Sequence, residues 1–177
     1  MAFVLLLGGA RSGKSAMAVR LAADSSGPVT FIATAQAGDE EMDARIRRHR
    51  ETRRVEWKTL EAPIDLLGAV RSAAARDFVV LDCLTLWVSN MLGQGASASD
   101  IESIASEVVQ ELRGRECVVV SNEVGLGIVP ANELARSFRD ILGAVNTAFA
   151  AAADRAVLMV SGRALDLTSV ENVLRTR

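Results

Sequence analysis

Lysine is nearly absent from this chain: of its 20 basic residues only Lys14 and Lys58 are lysine, and the other 18 are arginine. An arginine presents a wide planar fork, whereas an ammonium is a compact point charge able to enter a tight anion cradle. Lys14 stands in a glycine-rich turn, where such a cradle would form. Cysteine is also scarce. Cys83 and Cys117 lie in or just after apolar runs, and no second Cys or His stands at zinc spacing, so both read as buried thiols. An excess of one charge is missing too. Twenty-two acids against 20 bases leave a net charge of -2 and no global field for gathering nucleic acid or an anionic membrane. The apolar start of MAFVLLLGGARSGKS is too short for a signal segment and runs directly into glycines. Nothing later approaches the roughly 20 apolar residues that a spanning helix needs. A cytoplasmic protein without stable membrane insertion is expected.

What the chain does have is hydrophobic residues, half of its 177, enough to bury a core without staples or metals. Phe3 to Leu7 is a continuous apolar run, as expected of a strand covered on both faces, and similar runs recur at Val29 to Thr34, Phe78 to Asp82, Cys117 to Ser121 and Ala156 to Ser161. Helical spacing occupies Ser15 to Ala23, Glu40 to Arg54, Ile64 to Ala75, Ile101 to Arg113 and Glu133 to Ala153. Ser99 followed by Glu102 reads as a capping box for the fourth helix. Strands alternating with helices predict the α/β class: one mostly parallel sheet with helices on both faces, in a single P-loop NTPase-like domain over residues 1–177.

The stretch Gly8, Gly9, Ala10, Arg11, Ser12, Gly13, Lys14, Ser15 matches G-x-x-x-x-G-K-[ST], follows an apolar strand and opens a helix. Its glycines let backbone amides point inward around a phosphate, and the helix N-terminus adds partial positive charge. Lys14 would reach the β- and γ-phosphates, and the Ser15 hydroxyl would ligate Mg²⁺. The bland alternative is an ordinary strand-to-helix turn. Asp82 closes the apolar run FVVLD, where a carboxylate can stand beside the magnesium; an acid capping the following segment is the alternative.

The segment from Asp39 to Arg54 begins with acids and ends with arginines, six of them at positions 45, 47, 48, 50, 53 and 54. The helix dipole favours that gradient, so an exposed helix explains it, but such a density of guanidinium groups self-repels unless anions neutralise some of it. His49, the one histidine, lies inside this run. Met42, Ile46 and His49 share a helix face, so a buried structural imidazole is one reading. The other is chemical: a neutral imidazole nitrogen can attack an α-phosphorus, displace pyrophosphate and hold the nucleotidyl group as a phosphoramidate. Neighbouring guanidinium groups favour the neutral ring and stabilise charge on phosphoryl oxygens. Spacing alone favours the first.

Together GGARSGKS, IATAQ at Ile32 to Gln36, DEEMDARIRRHR at Asp39 to Arg50, SNEVGLGIVPANELARSFRD at Ser121 to Asp140, and AADRAVLMVSG at Ala152 to Gly162 resemble the adenosylcobinamide kinase / adenosylcobinamide-phosphate guanylyltransferase family of cobalamin biosynthesis. These blocks keep the family's order and span nearly the whole chain. The resemblance implies two reactions. A nucleoside triphosphate, ATP or GTP, phosphorylates the aminopropanol hydroxyl of adenosylcobinamide; GTP then guanylylates a histidine, which passes GMP to adenosylcobinamide phosphate. His49 matches the family's guanylylated histidine, and Lys14 its triphosphate anchor. Thr34, Ala35, Gln36, Arg50, Glu51, Thr52, Arg53, Glu61 and Asp82 fall where the family contacts guanine nucleotide. Some relatives carry Glu at the place of Asp82, and some have two adjacent histidines where this chain has Arg48 and His49. A homotrimer is a further implication. Two other readings stay open: a simpler small-molecule kinase in which His49 only packs, and a GTPase-type switch, which the missing N-K-x-D motif disfavours. Net negative charge argues against a nucleic-acid motor.

Overall fold

The computed structural model describes residues 3–36, 38, 40–51 and 53–175. In chain order the elements are β1 (Phe3–Gly8), α1 (Lys14–Ala23), β2 (Val29–Ala33), α2 (Glu40–Glu51), β3 (Lys58–Glu61), α3 (Leu66–Ser72), β4 (Phe78–Asp82), α4 (Leu84–Gly93), α5 (Ala98–Leu112), β5 (Cys117–Val120), α6 (Glu133–Ala152), β6 (Arg155–Val160), β7 (Arg163–Leu167) and α7 (Val170–Arg175). Seven strands form one sheet in the order β3-β2-β4-β5-β1-β6-β7. All neighbours are parallel except β6 and β7.

The five apolar runs become the five inner strands, and the reason is visible in the core. Phe3, Leu5 and Leu7 of β1 point into one apolar layer with Trp87, Ile101, Leu112, Leu142 and Phe149 from α4, α5 and α6. Leu6 points the other way, joining Ala18 and Ala22 of α1 with Phe31, Trp57 and Val80. Helices therefore cover both faces, and an alternating polar pattern would leave polar groups stranded in one layer or the other. Cys83 and Cys117 are both buried, as the apolar flanks imply.

Four elements escape the sequence pattern. β3 (KTLE) and β7 (RALDL) are edge strands with mostly exposed residues, so neither shows an apolar run. α4 buries Leu84, Thr85, Trp87, Val88 and Met91, leaving no polar stripe by which to recognise an amphipathic helix. α7 is short and exposed.

Two expectations are corrected. The capping box of α5 is formed by Ser97 and Asp100, not Ser99 and Glu102. The Ser97 hydroxyl accepts from the Asp100 amide and the Asp100 carboxylate accepts from the Ser97 amide, so the helix starts at Ala98 and Ser99 lies inside its first turn. The arginine-rich helix ends at Glu51 rather than Arg54. Arg53 leaves the helical path to place its guanidinium 4.1 Å over the Phe31 ring, an apolar and cation–π contact. Trp57, bonded through its amide to the Arg54 carbonyl, then turns the chain into β3 from a buried position.

Candidate active site

Gly8 ends β1, and the chain turns from it into α1. A side chain is excluded at Gly8, because a Cβ there would stand 2.2 Å from the Met159 carbonyl of β6. Gly13 caps α1 with φ 100°, a left-handed conformation that L side chains rarely adopt. Between the two, Arg11 takes φ 55°. These constraints curl the backbone over Lys14, whose buried ammonium donates to the carbonyls of Gly8 at 2.8 Å and Gly9 at 2.7 Å and approaches Ser12 Oγ at 3.3 Å. The charge buried in the turn is thus a lysine, whose compact ammonium has three donors for these three oxygens.

The C-terminal ends of β1, β5, β4 and β2 lie side by side, and ligands of open α/β sheets bind outside such ends. Asp82, last residue of β4, is the hub. Its Oδ1 accepts from Ser15 Oγ at 3.2 Å, and its Oδ2 lies 3.6 Å from His49 Nδ1. The His49 side chain is 35% exposed, so the imidazole is not a buried packing group. Thr34 is tied to the same strand end: its amide donates to the Asp82 carbonyl, and its hydroxyl donates to the Cys83 carbonyl at 2.6 Å and accepts from the Cys83 amide at 2.8 Å. Asn90 of α4 donates to the Thr34 carbonyl at 2.8 Å and the Pro63 carbonyl at 3.0 Å, holding the loops after β2 and β3 together.

Beside this hub opens a cleft of about 470 Å³ lined by Ala35, Gln36, Ile46, Arg47, Arg50 and Glu61, among others. Arg50 and Glu61 are ion-paired across it. An adjoining cleft of about 360 Å³ has Arg50, Arg53, Trp57 and Glu61 in its wall. Arg53 Nε and Nη1 are buried and have no hydrogen-bond partner among the described residues. Burial pushes the Arg53 guanidinium below its usual range, while Asp82 and Glu61 act in the opposite sense and Arg50 adds to the lowering. A half-buried cation with idle donors is an arrangement that an anion or a carbonyl-rich ring would satisfy.

The fold thus gathers Gly8 to Ser15, Thr34, His49, Arg53 and Asp82 at one strand edge, with Ala35, Gln36, Arg50 and Glu61 around the neighbouring cleft. Glu51 is exposed on α2 and has no place in the described lining of either cleft. Thr52 lies outside the described residues, as does the side chain of Met42. Sequence reasoning missed Asn90, which holds Thr34, because its helix carries no readable pattern. No group of three or more His, Cys, Asp or Glu side chains able to hold a metal occurs among the described residues. Nor is any described helix long and apolar enough to cross a membrane.

Comparison with known proteins adds a second line of observation. Residues 4–167 match the family described as cobinamide kinase / cobinamide phosphate guanyltransferase. The chain is 47% identical over 166 residues to the bifunctional adenosylcobalamin biosynthesis protein CobP of Pseudomonas aeruginosa, covering 92% of this chain and 95% of that one. It is 42% identical over 175 residues to the bifunctional protein CobU of Salmonella typhimurium, covering 90% and 96%. Escherichia coli CobU is 41% identical over 174 residues. Among solved structures, an ATPase from the type III secretion system of pathogenic bacteria superposes with a TM-score of 0.54 at 10% identity, over 99% of this chain and 53% of that one. The chain spans about half the length of that ATPase, and the likeness is one of fold alone.

Proposed function

The chain belongs to the cobinamide kinase / cobinamide phosphate guanyltransferase family, and from that premise we propose that it phosphorylates adenosylcobinamide and then transfers GMP from GTP to the product through guanylylated His49. It is a nucleotide-using transferase of cobalamin biosynthesis. The observation that carries the histidine route is the placement of His49 Nδ1 3.6 Å from Asp82, itself in contact with Ser15 of the phosphate cradle.

In the kinase step Lys14 and the turn from Gly8 to Ser15 hold the triphosphate, and the acceptor hydroxyl displaces nucleoside diphosphate from the γ-phosphorus. In the transferase step a carboxylate beside Nδ1 favours the tautomer protonated there, which leaves the lone pair on Nε2 for the α-phosphorus. The N–P bond forms as the bond to pyrophosphate breaks. The corrinoid phosphate oxygen then attacks the same phosphorus, the N–P bond breaks and imidazole is regenerated. Arg53, with its idle buried donors, would neutralise phosphoryl charge during both changes. Ser15 and Asp82 pair a hydroxyl with a hard carboxylate oxygen 3.2 Å away, a donor set that suits Mg²⁺. Held there, the ion would neutralise phosphate charge.

The guanine nucleotide contacts assigned to Thr34, Ala35, Gln36, Arg50, Glu51, Thr52, Arg53 and Glu61 are part of this reading. Residues 1–177 would act as one cytoplasmic nucleotide-binding unit. Exposed Leu165, Val170 and Val173 on β7 and α7 support self-assembly, for which a trimer is our reading. The test is incubation of the pure protein with α-labelled GTP. An acid-labile, alkali-stable adduct on His49 supports the route; a simpler kinase without a covalent intermediate takes up no label.

A further inference from the structure

The segment after β5 is held with unusual thoroughness for a loop that the proposed reactions have not yet used. β5 lies between β1, which carries the phosphate cradle, and β4, which carries Asp82, so its next residues emerge between the two. The Asn122 amide donates to Thr85 Oγ1 at 2.7 Å, and the Asn122 carbonyl accepts from Asn146 Nδ2 of α6 at 3.0 Å. Asn146 is buried for this purpose, although its own Oδ1 finds no partner there. The Glu123 amide donates to the Gly8 carbonyl at 3.2 Å, the same oxygen that accepts from Lys14 Nζ. Glu123 is thereby pinned one carbonyl away from the ammonium that anchors the triphosphate.

Its carboxylate is positioned too. Glu123 Oε1 accepts from the Gly125 amide at 2.5 Å, and a Cβ at Gly125 would approach that oxygen to 2.9 Å. Among the described residues no lysine or arginine pairs with it. The other carboxylates around the cradle are committed: Asp82 to Ser15 and His49, Glu61 to Arg50.

From this placement we infer that Glu123 is the acceptor-side base of the phosphoryl-transfer step. The inference rests on the kinase activity proposed above. An aliphatic hydroxyl must lose its proton as its oxygen bonds to the γ-phosphorus, and carboxylates fill that role in kinases. Here the new O–P bond forms, the bond from γ-phosphorus to the bridging oxygen breaks, nucleoside diphosphate leaves, and the hydroxyl proton passes to Glu123 and then to water. Guanylyl transfer has no use for it, since the attacking imidazole nitrogen and the corrinoid phosphate oxygen both act as lone-pair donors. Each half-reaction would then have its own group at the strand edge, His49 on the β4 side and Glu123 on the β5 side, with Asp82 shared between them.

The experiment compares Glu123→Gln with the unaltered chain in three measurements: kinase turnover with adenosylcobinamide, labelling of His49 by α-labelled GTP, and melting temperature. The expected result is a kinase kcat lower by about 10²-fold or more, with labelling and melting temperature unchanged. The acidic limb of the kinase pH profile should disappear, and Glu123→Asp should recover part of the rate. A Glu123→Gln enzyme within a few fold of normal overturns the inference. So does a parallel fall in turnover, labelling and melting temperature, which would mark Glu123 as a loop-closing residue only. An unaltered chain that labels His49 but phosphorylates no cobinamide overturns the inference together with the kinase half of the function.

Discussion

The Nδ1 atom of His49 stands 3.6 Å from Oδ2 of Asp82, and the opposite oxygen of that carboxylate meets the Ser15 hydroxyl of the phosphate cradle. In the proposed function one side chain therefore both orients the nucleophile and lines the triphosphate site. Asp82→Asn is expected to lower both activities, by about 10- to 100-fold as for other residues that orient a reacting group. Steady-state rates of the two half-reactions, measured separately, check this; a variant defective in one alone would show that the two contacts are not shared in function.

His49→Asn should lose guanylyl transfer while retaining kinase turnover, because phosphoryl transfer needs the cradle but no covalent intermediate. Label should enter the unaltered protein from α-labelled GTP and not from γ-labelled GTP. Acid should release it, since protonating the phosphoramidate makes nitrogen a good leaving group. A stable His49→Asn protein that still transfers GMP would defeat the histidine mechanism.

Lys14→Ala should cost both reactions about 10²-fold or more, the scale of losing one charge-stabilising donor. Lys14→Arg should fail as well, because the space bounded by the Gly8 and Gly9 carbonyls and Ser12 Oγ holds a compact ammonium. Nucleotide titrations alongside turnover separate lost binding from lost catalysis.

Burial, with a smaller contribution from Asp154 and against the opposing pull of Arg115, pushes the Cys117 thiol from 9.0 up to about 12. The folded state thus holds this proton after the unfolded chain has released it. The contribution to stability is complete below pH 9 and is lost as pH rises toward 12, at about 1.4 kcal/mol per pH unit. Cys117→Ala should flatten the fall in unfolding free energy between pH 9 and 10.5. An equally steep fall in that variant would assign the alkaline loss to other groups.

Ser97→Ala should destabilise the fold by about 1 kcal/mol through loss of the α5 cap, whereas Ser99→Ala, inside the first turn, should have little effect. Denaturant midpoints of the two variants decide it; equal losses would mean that the cap is not specific to Ser97.

The parts of this protein that local chemistry dictates were legible in its residues. Gly8 to Ser15 forms a strand-to-helix turn, and glycine spacing, a lone lysine and a preceding apolar run specify that geometry within one short segment. The five inner strands were equally legible, since burial on both faces demands unbroken apolar runs. Edge strands β3 and β7 lack that demand, and all-round burial hides α4, so their sequences resemble loops or core. Spacing by itself favoured packing for His49, because the carboxylate that points to chemistry lies 33 positions away in the chain. Glu123 was silent for the same reason. Its meaning comes from the Gly8 carbonyl that it shares with Lys14, a contact made only when β5 settles between β1 and β4. Tertiary structure decided which residues meet, because the sheet brings together strand ends that lie far apart along the chain.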